Sequence, residues 1–444
     1  MARSYDLTSG SIPQHLLRLA APLIMGNILQ QLYNTVDAFI LGRFAGDLEF
    51  AAVGVAGSVM NLFLFMITGA CTGISVIFAQ LYGAGERERF RREHWLSLSC
   101  GLLVTLACSG LGFLLLSPLL RLIQTPEELE RFVSAYLTVI LASLPAAFLY
   151  NLYGALLRAI GRANAALMAL AAAVMVNVAL DYCFVARFHM GIAGAAWATV
   201  AGYCVGGIIP LVFFITHRSG LHLTGTKLYI REFLQACGNG ASELMSNISS
   251  SLVGILYNLE LMRLVGERGV AAHSVMMYVD FVFIAAFLGF SIGSAPIISY
   301  HFGAENHDEL KNVFRRSMFL ILVTSGAMVV LSEALCRPLC AAFVGYSPDL
   351  MQLTVHGFRL FALCYLFCGV NIYASAFFTA LCNGALSAFI SLLRSLLLRG
   401  GLVLLLPPVL GLDGVVDHVD HLLGLAGALL THDYSNHVTH SLRC

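Results

Sequence analysis

The sequence predicts an all-α membrane protein: two six-helix bundles related by a pseudo-twofold axis along the membrane normal. Three observations predict it. Of the 444 residues, 59% are hydrophobic and 11% charged, where soluble domains carry about 25% charged residues. The apolar residues fall in long unbroken runs, the roughly 20 positions that a helix needs to cross a bilayer, and do not alternate in blocks of about ten as in a β-barrel. The chain also repeats itself. A shift of 220 residues superimposes Asn27 on Asn247, Gly46 on Gly266, Ala51-Ala52 on Ala271-Ala272, Phe63 on Phe283, Gly69/Gly73 on Gly289/Gly293, and Gly83-Ala84 on Gly303-Ala304. Small-xxx-small pairs let helix backbones approach closely in lipid, so both halves use one packing device. Six helices per half is an even number, so the halves share one orientation.

The first span, 14–42, is the most unusual. Its stretch PLIMGNILQQLYNTVDAFILGR carries Asn27, Gln30, Gln31, Asn34 and, deep inside, Asp37. A carboxylate in hydrocarbon costs on the order of 2.5–3.5 kcal/mol, so Asp37 is expected to face a partner or a water-filled cavity. Pro22 removes a backbone donor and bends the helix that presents this acid. The following spans are 51–82, 94–120, 131–158, 163–184 and 192–216, which close an N-lobe of residues 1–216. A cytoplasmic linker, 217–230, leads to spans 231–262, 270–302, 313–344, 350–382 and 386–410 in a C-lobe of residues 231–444. With the N-terminus placed in the cytoplasm, the Lys and Arg of the loops divide fourteen inside to seven outside, the expected bias.

A twelfth span is required by the repeat but is not written in the sequence. Gly191-Ile-Ala-Gly194 pairs with Gly411-Leu-Asp-Gly414 at the same shift, yet the longest clean apolar run beyond it, Leu422–Leu430, is nine residues. That run cannot span. Five of the fourteen histidines crowd into this tail, but His418 and His421 lack the helical HExxH or cysteine partners of a metal site. The pattern is that of a reading frame altered after Gly414.

Other classes are excluded on simple grounds. Zero formal net charge gives no electrostatic case for nucleic acid. The twelve cysteines sit singly in apolar runs and read as small core residues, not as a disulfide frame or metal ligands. There is no cleavable leader pattern, no nucleophile elbow or intramembrane metal motif, and no P-loop, so the chain reads as a non-enzyme whose energy comes from an ion gradient. Asn247-Ile-Ser249 matches a glycosylation pattern but falls in a helix and is discarded. No cofactor is called for, and a monomer surrounded by lipid is expected.

The opening DLTSGSIPQHLLRLAAPLIMGNILQQLYNTVDAFILGRFAG, the segment AQLYGAGERERFRR and its echo SAPIISYHFGAENHDELK resemble the bacterial multidrug and toxic compound extrusion (MATE) family, from about residue 6 to residue 414. The resemblance implies twelve helices in two lobes in the bacterial inner membrane. It also implies export of amphipathic, often cationic, small molecules coupled to a cation. The acidic residue on a bent first helix is similar to Asp37 beyond Pro22.

Partners for Asp37 can be found among the residues themselves. Asn177 and Asp181 lie four apart on one face of the fifth span, and Thr199 offers a hydroxyl from the sixth. Two carboxylates, an amide and a hydroxyl suit Na⁺ or, equally, H⁺, because two carboxylates in a low-dielectric site resist being charged together. Relatives with an N-lobe cation site carry a similar acid, Asn-xxx-Asp and Thr. Moved on by 220, these positions become Tyr257, Leu397, Gly401 and Val419, with no carboxylate among them. Asp181, nearest the outer end of its helix, is expected to be the most solvated of the four.

A substrate cavity is expected from Tyr33, Asn34, Met60, Glu243, Asn247, Tyr257, Met276 and Asp280, where acids attract a cation and aromatic and thioether groups adapt to it. His273 is expected at an interface. The alternative function is a flippase for lipid-linked or polyprenyl-type substrates. Its cavity would need Arg and Lys for phosphate, whereas buried acids here outnumber intrahelical bases such as Arg359 and Arg394.

Overall fold

A computed structural model describes residues 12–122, 127–216, 230–344, 347–405 and 407. The tail after Gly414 and the expected twelfth span lie outside these residues. Among the described residues the chain is helical, with no strand. The helices are α1 (Ile12–Phe44), α2 (Asp47–Gly83), α3 (Arg87–Leu122), α4 (Glu127–Ala142), α5 (Leu144–Ala159), α6 (Ala163–Asp181), a π-helical turn π1 (Tyr182–Arg187) and α7 (Gly191–Thr216). They continue as α8 (Ile230–Asn239), α9 (Ala241–Leu264), α10 (Glu267–Gly303), α11 (His307–Val344), α12 (Pro348–Ala362), α13 (Tyr365–Ala380), α14 (Gly384–Leu392), π2 (Leu393–Gly400) and α15 (Gly401–Leu405).

Over the described residues, each of the eleven expected spans is occupied by a helix or a broken helix, the last as far as Leu405. Six described helices are individually long and apolar enough to cross a membrane, and the bent pair α4–α5 makes a seventh. The sequence reading missed the breaks. Span 131–158 bends by 51° at Ser143, because Pro145 has no N–H for the Leu141 carbonyl. Ser109 repairs the loss from α3, its hydroxyl donating to that carbonyl at 2.6 Å. Span 350–382 breaks at Cys364, where nothing in the local sequence marks it. Span 231–262 breaks at Gly240.

By internal contacts the chain divides into two compact units, one running from Ala21 to Ala241 and the other from Ser242 onward, with the first turns of α1 grouping with the second. The core of the first unit includes Ala52, Ala56, Val59, Val133, Leu137, Ile140, Ile192 and Ala196. That of the second includes Val253, Met276, Phe283, Phe287, Phe358, Phe361 and Tyr365. Helix α8 packs on α2 and α3 of the first unit. Its contact is backbone on backbone: a Cβ on Gly73 would collide with the Ala236 carbonyl, and one on Gly240 with the Gly69 carbonyl. The small residues found in the sequence therefore serve the close approach that such residues permit.

The turns carry the repeat at atomic detail. After α2, amides 84, 85, 86 and 87 donate to the carbonyls of Gln80, Tyr82, Leu81 and Gly85. After α10, amides 304 to 307 make the same four bonds 220 residues on, to Tyr300, Phe302, His301 and Glu305. Gly85 and Glu305 share a left-handed conformation, φ 74° and 55°. By the turn after α13 the shift is 221: amides 160–162 and 381–383 make matching bonds, and Gly161 and Cys382 are both left-handed. The counterparts of Asn177 and Asp181 are then Leu398 and Leu402, still without a carboxylate.

Candidate cation site in the first unit

Asp37 is presented by α1, Asn177 and Asp181 by α6, and Thr199 by α7. Glycine sets the spacing of the last two helices. A Cβ on Gly202 of α7 would sit 3.3 Å from the Ala173 carbonyl and 3.3 Å from Asn177 Cβ. The Asn177 amide donates to the Thr199 hydroxyl at 3.5 Å, and the hydroxyls of Thr199 and Tyr33 share a hydrogen bond. The carboxyl groups of Asp37 and Asp181 lie close enough to act on each other electrostatically. All four predicted residues thus converge.

Asp181 corrects the expectation made for it. It is 0% exposed, the most enclosed of the four, because α6 does not end in solvent there but continues into π1. Such wide turns cluster at functional sites. Asn177 and Thr199 are also buried, and Asp37 is half-buried.

The charges are arranged for an added cation. Neither Asp181 oxygen, nor Asp37 Oδ1, nor Asn177 Oδ1 receives a hydrogen bond among the described residues. Among the described residues, no Lys, Arg or His is among the groups acting on the two carboxyls. Two buried carboxylates without a basic partner cannot both stay charged unless a proton or a metal cation lies with them. The group supplies four oxygens of the hard, neutral-or-anionic kind that Na⁺ takes.

Three tyrosines complete the surroundings. Tyr136 on α4 and Tyr203 on α7 lie close enough to Asp37 to act on it electrostatically, as does Tyr33. The sequence reading missed Tyr136 and Tyr203; only the i, i+4 spacing of Tyr203 from Thr199 could have signalled one of them. Met60 accepts a hydrogen bond at its sulfur from Tyr136, 3.5 Å, and so sits beside the site. Asn34 is exposed.

The outer end of the site is held by Glu49, in the first turn of α2. Its carboxylate accepts the Ile192 N–H at 2.5 Å and caps α7, whose first amides have no helical acceptor. Gly191, at φ 58°, leaves the room: a Cβ there would meet the Glu49 carboxylate.

In the second unit the proposed cavity residues take part in the following contacts. The Asn247 amide donates to the Glu243 carbonyl at 2.8 Å, a bond within its own helix. Tyr257 and Met276 belong to the apolar core. His273 is buried, not interfacial, and its ring stacks on Tyr257 with centroids 5.1 Å apart. Asp280 is buried and faces the Tyr365 hydroxyl.

A family model, MatE, matches residues 22–183 and 243–402, stretches that begin 221 positions apart. The chain is 25% identical to a probable multidrug resistance protein of Bacillus subtilis, YoeA, over 73% of this chain and 72% of that protein. It is 24% identical to the probable multidrug resistance protein NorM of Thermotoga maritima over 81% and 78%. A further Bacillus subtilis relative, YpnP, also described as a probable multidrug resistance protein, is 28% identical, but the match spans only 49% of this chain and 48% of that one. The fold is similar to a solved structure described as the outward-facing conformation of a multidrug resistance MATE family transporter. The TM-score is 0.91 at 21% identity, covering 100% of this chain and 99% of that one. With the family model matching most of its length, the chain belongs to the MatE family of multidrug and toxin extrusion transporters and is a multi-pass membrane protein.

Proposed function

We propose that this chain is an antiporter that exports amphipathic, often cationic, compounds in exchange for Na⁺ or H⁺ bound between Asp37 and Asp181. The observation that carries the reading is the pair of neighbouring carboxyls with no basic side chain among the described residues acting on either. Asp37 and Asp181 supply the charge, while Asn177 Oδ1 and Thr199 Oγ1 add neutral oxygens. Because Asp37 rides on α1 beyond Pro22, where the helix lacks one backbone bond, loading the site draws that acid towards α6. Unloading lets the two carboxylates repel. Ion occupancy in this way biases the position of α1, which a coupled exporter requires.

The test is ethidium efflux from vesicles under imposed Na⁺ or pH gradients. Asp37→Asn keeps the shape, removes the charge, and is expected to abolish efflux driven by either gradient while the protein still inserts. Asn177→Ala removes one neutral ligand worth about 1 kcal/mol, so the half-saturating ion concentration should rise by roughly fivefold. Normal transport by Asp37→Asn under both gradients would move the coupling acid elsewhere, to Glu243 or Asp280.

A further inference from the structure

Along α6, π1 and α7 lies a groove that the cation reading does not use. It holds about 410 Å³ and is lined by Leu180, Phe184, Met190, Trp197, Val200 and Ala201. The π1 turn opens it, since Phe184 projects from the widened segment and Met190 returns over it, its amide donating to the Phe184 carbonyl at 2.9 Å. Small-molecule sites of about 300–1,000 Å³ place a few polar groups to orient the ligand. Here every lining side chain is apolar or presents an apolar ring face, so the shape suits a hydrocarbon chain and gives nothing to orient a drug.

The rim has the opposite character. Arg187 ends π1 and is exposed, and Arg43, also exposed, is in the last turn of α1, where Phe44 packs edge-on to Tyr182, the first residue of π1, at 6.1 Å. Neither arginine is in an ion pair among the described residues. Trp197 lies seven residues beyond Met190 in the groove and is 50% exposed, about 10 Å deeper along the helix at 1.5 Å per residue.

We propose that this groove binds one anionic phospholipid of the leaflet opposite the Arg87–Arg92 run, with an acyl chain along Trp197 and the phosphate at Arg187 and Arg43. Hydrocarbon gains little on leaving lipid for an apolar groove, since the tails are as apolar as the lining. Selectivity therefore comes from shape and from the two guanidinium groups. Near a membrane surface each basic group attracts an anionic headgroup by about 1 kcal/mol, roughly fivefold in occupancy.

The chain has two tryptophans, so Trp95→Phe leaves Trp197 as the sole reporter. This protein is reconstituted in phosphatidylcholine containing a small fraction of phosphatidylglycerol brominated on its acyl chains, which quench on contact. Quenching should exceed the value set by bulk mole fraction by about fivefold or more and should saturate. Arg187→Gln, a surface change, should cut the preference for brominated phosphatidylglycerol over brominated phosphatidylcholine by about fivefold, and Arg187→Gln with Arg43→Gln should make the two quench nearly alike. Ala201→Phe should fill the groove and remove the excess. Quenching that follows mole fraction in a straight line, whichever headgroup is brominated, means ordinary boundary lipid and overturns the proposal. Displacement of the brominated lipid by ethidium also overturns it, because the occupant would then be substrate.

Discussion

Glu49 is an ordinary surface acid by sequence, yet its carboxylate caps a helix that begins 142 residues later, at Gly191. Replacing it with Ala should cost about 1 kcal/mol, the usual worth of a helix cap, and lower the melting temperature in detergent by a few degrees. An unchanged melting curve would mean that water replaces the cap without loss. Such long-range partners are illegible in one sequence because nothing local records them. The buried acids are legible for the opposite reason. Asp37 and Asp181 stand out in apolar helices because hydrocarbon penalises charge, and the Asn177–Asp181 spacing needs only the helical period. Tyr136 and Tyr203 did not stand out, since tyrosine is common in membrane helices and its burial has no signature.

At the scale of helices, the long apolar runs located every described span, and the Gly69/Gly73 pair announced a close crossing. What stayed hidden was where the rods break. Pro145 signals one break, but Gly240 is one glycine among 41, and Cys364 carries no signal at all. The α2–α8 crossing gives a paired test. Gly57→Ala, where a Cβ meets nothing within 4 Å, should raise stability by up to about 1 kcal/mol through helix propensity. Gly73→Ala should lower it by about 1–3 kcal/mol, because the added methyl overpacks a backbone contact. Thermal unfolding of both in one detergent checks the contrast. Equal shifts would show that α8 gives way without cost.

Across the whole molecule, the 220-residue repeat was readable because glycines and small residues persist in turns after other positions have diverged. The change to 221 was not, since one added residue in an apolar helix leaves no mark. Glu305 occupies the left-handed position that Gly85 fills in the first half, so Glu305→Gly should stabilise the protein by about 1 kcal/mol, read as a rise in melting temperature. The cation site, by contrast, has no copy, and this asymmetry has an electrical consequence. Two carboxylates holding one Na⁺ keep a net negative charge, whereas the same pair holding two protons is neutral. Over a full cycle the carboxylates return, so what crosses the field is the cargo, one charge with Na⁺ and two with the protons, each worth about 2.3 kcal/mol per 100 mV, and the ion that loads the pair sets how strongly voltage drives the cycle. Currents recorded on supported membranes at fixed substrate should therefore depend on potential differently under Na⁺ and H⁺ gradients. The same voltage dependence with both ions would mean that the pair carries one cation per cycle in either case, and not two protons.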